Sequence, residues 1–326
     1  MIHRYAVAFG AGCAAAFLFA VSAQASALAM ALAYLAPLPI MIATIGWGLD
    51  AGAVAALASV AGLALIAEPL SGLLYAGSVA GPAWLLAGFA ATPLASYLPA
   101  RFSSASAYPS VGAVLTLASV IGMLGSAVVL TSVIVVYHGY SEAARIVAEA
   151  VAAMAGEALN DVGDAEAAKA FATTLVRVGP AAIAASTLLM LCVNLYAASR
   201  SVQLSHGLKR PWPDLPTSLW LPAPLGAVGL IATAAVWLLP AAASQYAALI
   251  AGGVGAAFVF QGLAVAHALS RGLKFRTIML IALYACCLFR AKYMLPALAL
   301  LGVIDAFTRL RVRAAALPTP KPTLQK

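Results

Sequence analysis

A few polar side chains lie inside or beside the long apolar stretches of this chain. They are Asp50, Gln261, His267, Arg290 and Lys292. A charged group in the hydrocarbon of a bilayer is costly unless it is paired or faces water, so such residues mark solute pathways, proton relays and binding sites. The side chains present could hold a polar solute or exchange a proton. We therefore predict that these five residues line a cavity for a small solute.

Three of these residues also have simpler explanations. Asp50 follows Gly46-Trp47-Gly48, and it is either a turn residue at the membrane interface or a group lining a cavity at a helix break. Arg290 and Lys292 would lie near mid-membrane in one long helix, where an unpaired cation is costly. Otherwise they mark a short external turn between two helices, or they extend to an interface. The sequence allows both interpretations.

Polar residues in the C-terminal third have helical spacing. His267 and Arg271 are four residues apart and share one helix face, whereas Gln261 is turned away from His267. Arg271 is typical of a cytoplasmic helix end, and His267 is either a packed polar residue or part of a proton relay. Asp305 and Arg309 are also four residues apart, and we predict a structural salt bridge between them.

No catalytic motif accompanies these residues in the sequence. There is no phosphate-binding loop, no HExxH, no nucleophile elbow and no pair of acids within spans. Gly252-Gly253-Val254-Gly255 lacks the context of a dinucleotide fingerprint and favours close helix packing. Cys13, Cys192, Cys286 and Cys287 lie in apolar runs without the spacing of a disulfide framework or a zinc site. We expect no cofactor, no metal and no enzymatic activity.

The elements that must position these residues are strongly apolar. Hydrophobic residues make up 64% of the 326 residues and charged ones 9%, and the mean hydropathy is +1.01. A soluble domain cannot hide so much apolar surface. Because roughly 20 apolar residues cross the hydrocarbon core, the fold class is all-α, a polytopic transmembrane bundle of about eight to ten spans. Residues 1–313 form this single domain.

Pro, Gly and charged residues mark the ends of the predicted spans. The last apolar block holds either one span or two short helices, and two short helices give about ten spans in all. Val21–Ala25 resembles a signal-peptidase site, which is either cleaved or part of an uncleaved signal anchor; we expect an uncleaved first span. The predicted spans are 6–23, 26–47, 51–67, 70–97, 110–137, 178–199, 221–240, 243–269 and the block 277–308.

One sizeable segment, residues 138–177, leaves the apolar pattern. It contains six acidic and three basic residues, and its apolar positions recur at helical spacing. We predict an acidic amphipathic helical hairpin on the extracytoplasmic side, with a turn at 160–164 in which Asp164 caps the second helix. Residues 314–326 are polar and rich in proline, which predicts a disordered tail.

The net charge of +8 comes from basic residues at helix ends. They do not form the continuous basic surface that nucleic-acid binding needs, so we expect no nucleic-acid partner and a lipid bilayer as the surroundings. By the positive-inside rule, these ends and both termini face the cytoplasm of a bacterial inner membrane. The basic positions are 3–4, 101, 200–214, 271–276 and 309–313.

Short motifs carry a family resemblance over most of the chain. They are Phe260–Val265, Leu301–Asp305 with Arg309-Leu310-Arg311, Asp214-Leu215-Pro216 and Pro37–Ile40. With them the chain resembles the YybS-like family of uncharacterised bacterial multi-pass membrane proteins. That family is distantly similar to the substrate-binding S components of energy-coupling-factor vitamin transporters. The resemblance therefore implies a membrane location and binding of a small solute. Arg290 and Lys292 depart from the apolar block expected there.

Two functions follow as hypotheses. The first is a transporter-like protein that binds or transports a small-molecule solute between its helices. The alternative is a membrane-embedded scaffold that recruits a protein partner through segment 138–177 or the basic loops. An intramembrane enzyme would need at least two of Asp50, His267, Arg290 and Asp305 around one cavity.

Overall fold

The protein is an assembly of helices that are joined by short links. The computed structural model describes residues 2–24, 26–94, 107–158 and 165–316, and no β-strand occurs in them. The α-helices are α1 Ile2–Ala20, α2 Ala27–Tyr34, α3 Pro37–Trp47, α4 Leu49–Ile66, α5 Pro69–Tyr75, α6 Gly81–Ala91, α7 Val111–Val136, α8 Tyr140–Ala158, α9 Ala165–Leu204, α10 Leu215–Ser218, α11 Ala223–Leu238, α12 Ala241–Leu269, α13 Arg276–Phe289, α14 Ala291–Thr308 and α15 Leu310–Ala316.

Membrane-spanning segments dominate this assembly. Within the described residues, eight helical segments are long and apolar enough to cross a membrane, and α11 and α13 are shorter apolar helices. Consecutive helices form two of the eight segments: Ala27–Trp47 combines α2 and α3, and Pro69–Ala91 combines α5 and α6. The prediction of an all-α polytopic bundle is confirmed.

Helix breaks occur where the sequence places Gly and Pro. Gly48 separates α3 from α4 with a φ of 102°, a left-handed value that glycine adopts without a steric penalty. A π turn at Ala76–Ala80 precedes Pro82, which lacks a backbone N–H. The block 277–308 is divided at Arg290 into α13 and α14, as the interpretation with two short helices predicts.

The acidic segment 138–177 forms a hairpin only in part. Helix α8 packs against α9, as predicted for two paired arms. The second arm is not a separate helix, however, because α9 continues for 40 residues through Pro180 into the bundle. The predicted span 178–199 therefore lies within one longer helix. The predicted turn at 160–164, Arg101 and residues 317–326 lie outside the described residues.

Close contacts between helices depend on small residues. A Cβ atom on Gly262 of α12 would overlap the carbonyl oxygen of Leu298, and one on Gly302 of α14 would overlap that of Phe258. Gly252 approaches the backbone of Ala181 in α9 in the same way. Such approach is a main source of helix association in lipid, where burial of apolar surface gives little advantage. The expectation that 252–255 serves helix packing holds for Gly252 and for Gly253, which meets the Met123 side chain, whereas Gly255 meets nothing within 4 Å.

The polar residues concentrate at one end of the bundle, which we call the basic end. Contacts join its parts: Arg4 binds Asp50 at the start of α4, and Trp84 donates a hydrogen bond to the Leu49 carbonyl. The 205–222 segment completes this end, because Asp214 within it binds Arg271. At the opposite end, α8 follows α7 directly, and Arg177 lies 4.7 Å from the ring centre of Trp237.

Candidate functional site

An apolar cavity lies in the half of the bundle nearest the basic end. It has a volume of about 370 Å³ and is walled by α3, α6, α7, α9, α12 and the loop that follows α9. These helices meet here because each begins or ends close to the basic end. The side chains that give the wall its character are Val114, Ala118, Cys192, Val193, Tyr196 and Phe260.

A second, more polar cavity adjoins the first. It has a volume of about 230 Å³ and lies between the Gly46–Leu49 break, the end of α6 around Thr92, and the loop 207–210. Both cavities are lined by Ile45, Ala91, Leu208 and Arg210. The helix break exposes backbone groups to the second cavity, and Lys209 and Arg210 give it two cations. One boundary thus separates an apolar compartment from a polar one.

Arg210 is the charged group at this boundary. Its guanidinium donates hydrogen bonds to the carbonyl oxygens of Ala90 at 3.0 Å and Pro109 at 2.8 Å, and it lies 6.0 Å from the ring centre of Tyr108. It forms no salt bridge with the residues that the structure describes. Partial burial lowers the pKa of the Arg210 guanidinium from its usual value. The two carbonyl groups fix its position without neutralising its charge.

Aromatic residues support the mouth of the apolar cavity. Trp212 packs edge-on against Tyr196, with 5.4 Å between ring centres. The guanidinium of Arg200, which belongs to α9, lies 5.1 Å from the centre of the Trp212 ring. A tryptophan and a tyrosine at this level fit a membrane–water interface, because both combine an apolar ring with a polar group.

A buried ion pair lies beside this region. Asp305 is fully buried and accepts hydrogen bonds from Arg311 at 2.8 and 3.0 Å and from the Gln261 amide at 3.1 Å. Arg311 also donates to the carbonyl oxygens of Pro216 and Leu219. The guanidinium is 3.8 Å from the ring centre of Trp220. With its charges paired and its donors engaged, this cluster fastens the chain after α14 to the loop before α11.

The family comparison agrees with the architecture. A family described as "Predicted membrane protein (DUF2232)" matches residues 13–306, which include both cavity walls and Asp305. The chain belongs to this family. The membership expected from the YybS-like resemblance is thereby confirmed. No curated protein and no solved structure matches the chain.

In this family member, Asp50 has a structural partner. Its carboxylate accepts hydrogen bonds from Arg4 at 2.5 Å and from the Tyr5 hydroxyl at 2.9 Å. These bonds tie the beginning of α1 to the beginning of α4. Asp50 lines neither of the two cavities. The structure thus places Asp50 beside the Gly48 break, in a contact that joins two helices.

The predicted pair of Asp305 and Arg309 is wrong. Arg309 ends α14 in a left-handed conformation with a φ of 54°, so the helical spacing of four residues no longer controls where its side chain lies. The turn brings Arg311 back onto Asp305 instead. Gln261, a predicted cavity residue, is fully buried and bonds to the Leu221 N–H and the Gly302 carbonyl. It lines neither cavity.

The remaining predicted residues are dispersed. His267 Nε2 lies 2.8 Å from the Tyr284 hydroxyl and connects α12 to α13. Arg290 is exposed at the break between α13 and α14, and the Lys292 ammonium lies 5.0 Å from the ring centre of Tyr293. None of these three lines either cavity. The structure does not bring the five predicted residues together.

Sequence reasoning missed Arg210 as a site residue, because it counted this residue among basic helix ends. The sequence does contain one signal for the position of this residue, namely the segment Lys209-Arg210-Pro211-Trp212-Pro213. Two prolines hold this segment out of helix, and the tryptophan holds it at the interface. A basic pair in such a segment lies against the bundle. The cavity itself was not predictable from that pattern.

Proposed function

We propose that this protein binds a small solute inside its helical bundle, in the manner of a transporter, and performs no covalent chemistry on it. The observation that carries the proposal is the pair of adjoining cavities that share Arg210. Ligand sites are concave, mostly apolar clefts of roughly 300–1,000 Å³ with a few fixed polar groups. The larger cavity, at about 370 Å³, is in this range.

The helix break at Gly48 supports a transporter-like site. Many transporters form their solute sites from discontinuous helices, whose free backbone groups face the substrate. Here the break at Gly46–Leu49 lines the polar cavity.

The charge distribution supports one orientation in a bacterial inner membrane. Arg200 in the last turns of α9 and the loop residues Lys209, Arg271 and Lys274 lie at the basic end, near the start of α1 and the end of α14. The positive-inside rule favours a cytoplasmic position for such loops. In this orientation both termini are cytoplasmic, and the polar cavity opens on that side.

Recruitment of a protein partner by α8 is the weaker alternative. The acidic residues Glu142 and Glu149 both bind Arg145, at 2.5 and 2.6 Å, so part of the charge on this helix is already neutralised. Helix α8 also rests on α9, which continues into the membrane segment. These contacts favour a structural role for α8, and we prefer the solute site.

A mouth-blocking substitution tests the proposal. Val193 lines the apolar cavity and is 49% exposed, so Val193→Trp can enter the opening without overpacking the core. Leu189→Trp is the matched control, because Leu189 lies one turn earlier on α9, is 50% exposed and lines neither cavity. The measurement is thermal unfolding in phosphatidylcholine nanodiscs against a panel of vitamins and other metabolites.

We expect at least one solute to raise the unfolding temperature of the unmodified protein. A ligand at one hundred times its Kd stabilises a protein by about 2.7 kcal/mol. Val193→Trp should weaken that binding by at least about tenfold, equivalent to 1.4 kcal/mol, while Leu189→Trp binds as before. Equal binding by both variants would place the solute elsewhere and refute the proposed site.

A further inference from the structure

The two adjoining cavities differ in chemistry, and this difference bears on the ligand. The larger one is walled by aliphatic and aromatic side chains such as Val114, Ala118 and Phe260. The smaller one is lined by backbone groups at the Gly46–Leu49 break together with Lys209 and Thr92. Because the two share part of their lining, one molecule can occupy both. Such a molecule has an apolar part and a polar part.

The sign of the polar part follows from Arg210. Its two hydrogen bonds to described residues go to neutral carbonyl groups, which do not compensate the positive charge. Two acids close in sequence to the lining of the polar cavity are engaged elsewhere: Asp50 by Arg4 and Asp214 by Arg271. Residues 95–106, which lie outside the described part of the chain, include no Asp or Glu. The protein therefore supplies no described carboxylate to this cation.

A partly buried guanidinium without a counter-ion favours the binding of an anionic group beside it. Removing a cation from water is costly unless an opposite charge and hydrogen bonds replace the lost hydration. The planar guanidinium suits carboxylate and phosphate oxygens, with which it forms charge-assisted hydrogen bonds. Lys209 lines the same polar cavity, is exposed, and adds a second positive charge there. The cavity thus matches an anionic group.

The size of the apolar compartment limits the other part of the ligand. Its volume of about 370 Å³ is near the lower end of the range for small-molecule sites. Exposed Val193 and Tyr196 at its wall leave an opening on the outer surface of α9, where an apolar chain can enter from the bilayer. This compartment suits one alkyl chain.

We infer that the ligand is an amphipathic anion, with a carboxylate or phosphate group at Arg210 and Lys209 and a single alkyl chain in the apolar cavity. This inference rests on the proposed function, and it names the class of solute. The same chemistry has two sources: a free single-chain amphiphile, or one chain and the headgroup of an anionic bilayer lipid.

The test compares ligands that separate the effect of the charged group from that of the alkyl chain. Decanoate and decanol share an alkyl chain, and acetate supplies the carboxylate without it. Binding to the full-length protein in phosphatidylcholine nanodiscs is followed by tryptophan fluorescence and by the unfolding temperature. Arg210→Gln removes the charge, and Arg200→Gln is the matched control, because Arg200 is exposed, touches Trp212 and lines neither cavity.

We expect the unmodified protein and Arg200→Gln to bind decanoate at least about tenfold more tightly than decanol, with no binding of acetate. Arg210→Gln should remove this preference, while Arg210→Lys should retain part of it. Circular dichroism and size exclusion establish that each variant is folded. Should Arg210→Gln fail to fold, Arg210→Lys and the comparison of decanoate with decanol in the unmodified protein decide the question.

The other possible results distinguish a failure of the anion inference from a failure of the proposed solute site. If decanol and decanoate bind equally and Val193→Trp blocks both, the anion inference is overturned while the cavity remains a solute site. If Val193→Trp leaves decanoate binding unchanged, both the inference and the proposed site are wrong. Nanodiscs with phosphatidylglycerol identify the source: competition with decanoate supports a bilayer lipid, and unchanged binding supports a free amphiphile.

Discussion

At the level of single residues, Asp305 and Arg311 show how a membrane bundle accommodates charge. Both side chains are at least 95% buried, and they bind each other directly. The Gln261 amide also donates a hydrogen bond to Asp305, and Arg311 donates to two backbone carbonyl groups. Removing one partner of such a pair leaves a buried charge uncompensated, which costs more than the pair contributes. Asp305 and Arg311 therefore depend on each other as partners inside the bundle.

Replacing Arg311 tests this dependence. Arg311→Met should destabilise the protein by about 3–5 kcal/mol, because Asp305 loses its counter-ion while it stays buried. Arg309→Met is the control, and we expect a change within about 0.5 kcal/mol, since Arg309 acts through its backbone conformation. Chemical unfolding in mixed micelles, followed by circular dichroism, measures both. Similar small losses for the two variants would contradict the assigned pairing.

The residues that sequence reasoning selected illustrate what spacing can and cannot predict. Asp50 and Arg290, which were predicted to line a cavity, instead lie beside the breaks at Gly48 and between α13 and α14, the alternative that the sequence left open. The partner of Asp305 was missed, since the helix ends at Arg309 and the turn there sets the contact. Arg210 was missed because its neighbours, Ala90 and Pro109, are distant in sequence.

At the level of helices, the crossing of α12 and α14 depends on two glycines. Gly262 and Gly302 each face a backbone carbonyl of the other helix so closely that a Cβ atom would overlap it. This proximity also allows Gln261 to reach the Gly302 carbonyl. Helix packing and the buried ion pair thus support each other at one crossing.

Two glycine-to-alanine substitutions should have opposite effects. Gly302→Ala places a methyl group against the Phe258 backbone, and we expect destabilisation of about 1–3 kcal/mol from overpacking. Gly255→Ala, on α12, meets nothing within 4 Å and should be neutral or stabilising by up to about 1 kcal/mol, because alanine favours helix. Unfolding in mixed micelles measures both changes. Stabilisation by Gly302→Ala would rule out the close crossing.

The long helix α9 shows that a change in composition along the chain does not predict where a helix begins or ends. The change from a polar to an apolar sequence near residue 178 predicts that a membrane span begins there, and α9 passes through this position without a break. Helical geometry does not require an end there, because the backbone hydrogen bonds continue through the interface. Pro180 is accommodated within this helix. A deletion of the hairpin would therefore also remove part of a membrane segment.

At the level of the whole molecule, the two ends of the bundle differ in charge and content. The basic end holds the cavities and the ion pairs of Arg4, Arg271 and Arg311, whereas the opposite end carries α8 with Glu142 and Glu149. This separation is typical of a bundle that inserts in one orientation, since basic loops are retained on the cytoplasmic side.

Reporter fusions test the orientation. A fusion at residue 275, in the basic link between α12 and α13, should be active with a cytoplasmic reporter. A fusion at residue 160 should be active only with an extracytoplasmic reporter, because it follows α8 at the opposite end. The ratio of alkaline phosphatase activity to cytoplasmic reporter activity shows on which side of the membrane each fusion point lies. The same side for both fusions would disprove the proposed topology.

The amino-acid sequence by itself determined the environment, the helical class and most of the breaks, because hydropathy, proline and glycine act locally along the chain. Only the tertiary structure decided which polar residues meet. Asp305 finds Arg311 through a left-handed turn, and Arg210 reaches a cavity boundary made by helices from distant parts of the chain. Such contacts depend on how closely small residues allow the helices to cross, and periodicity along one helix does not encode that distance.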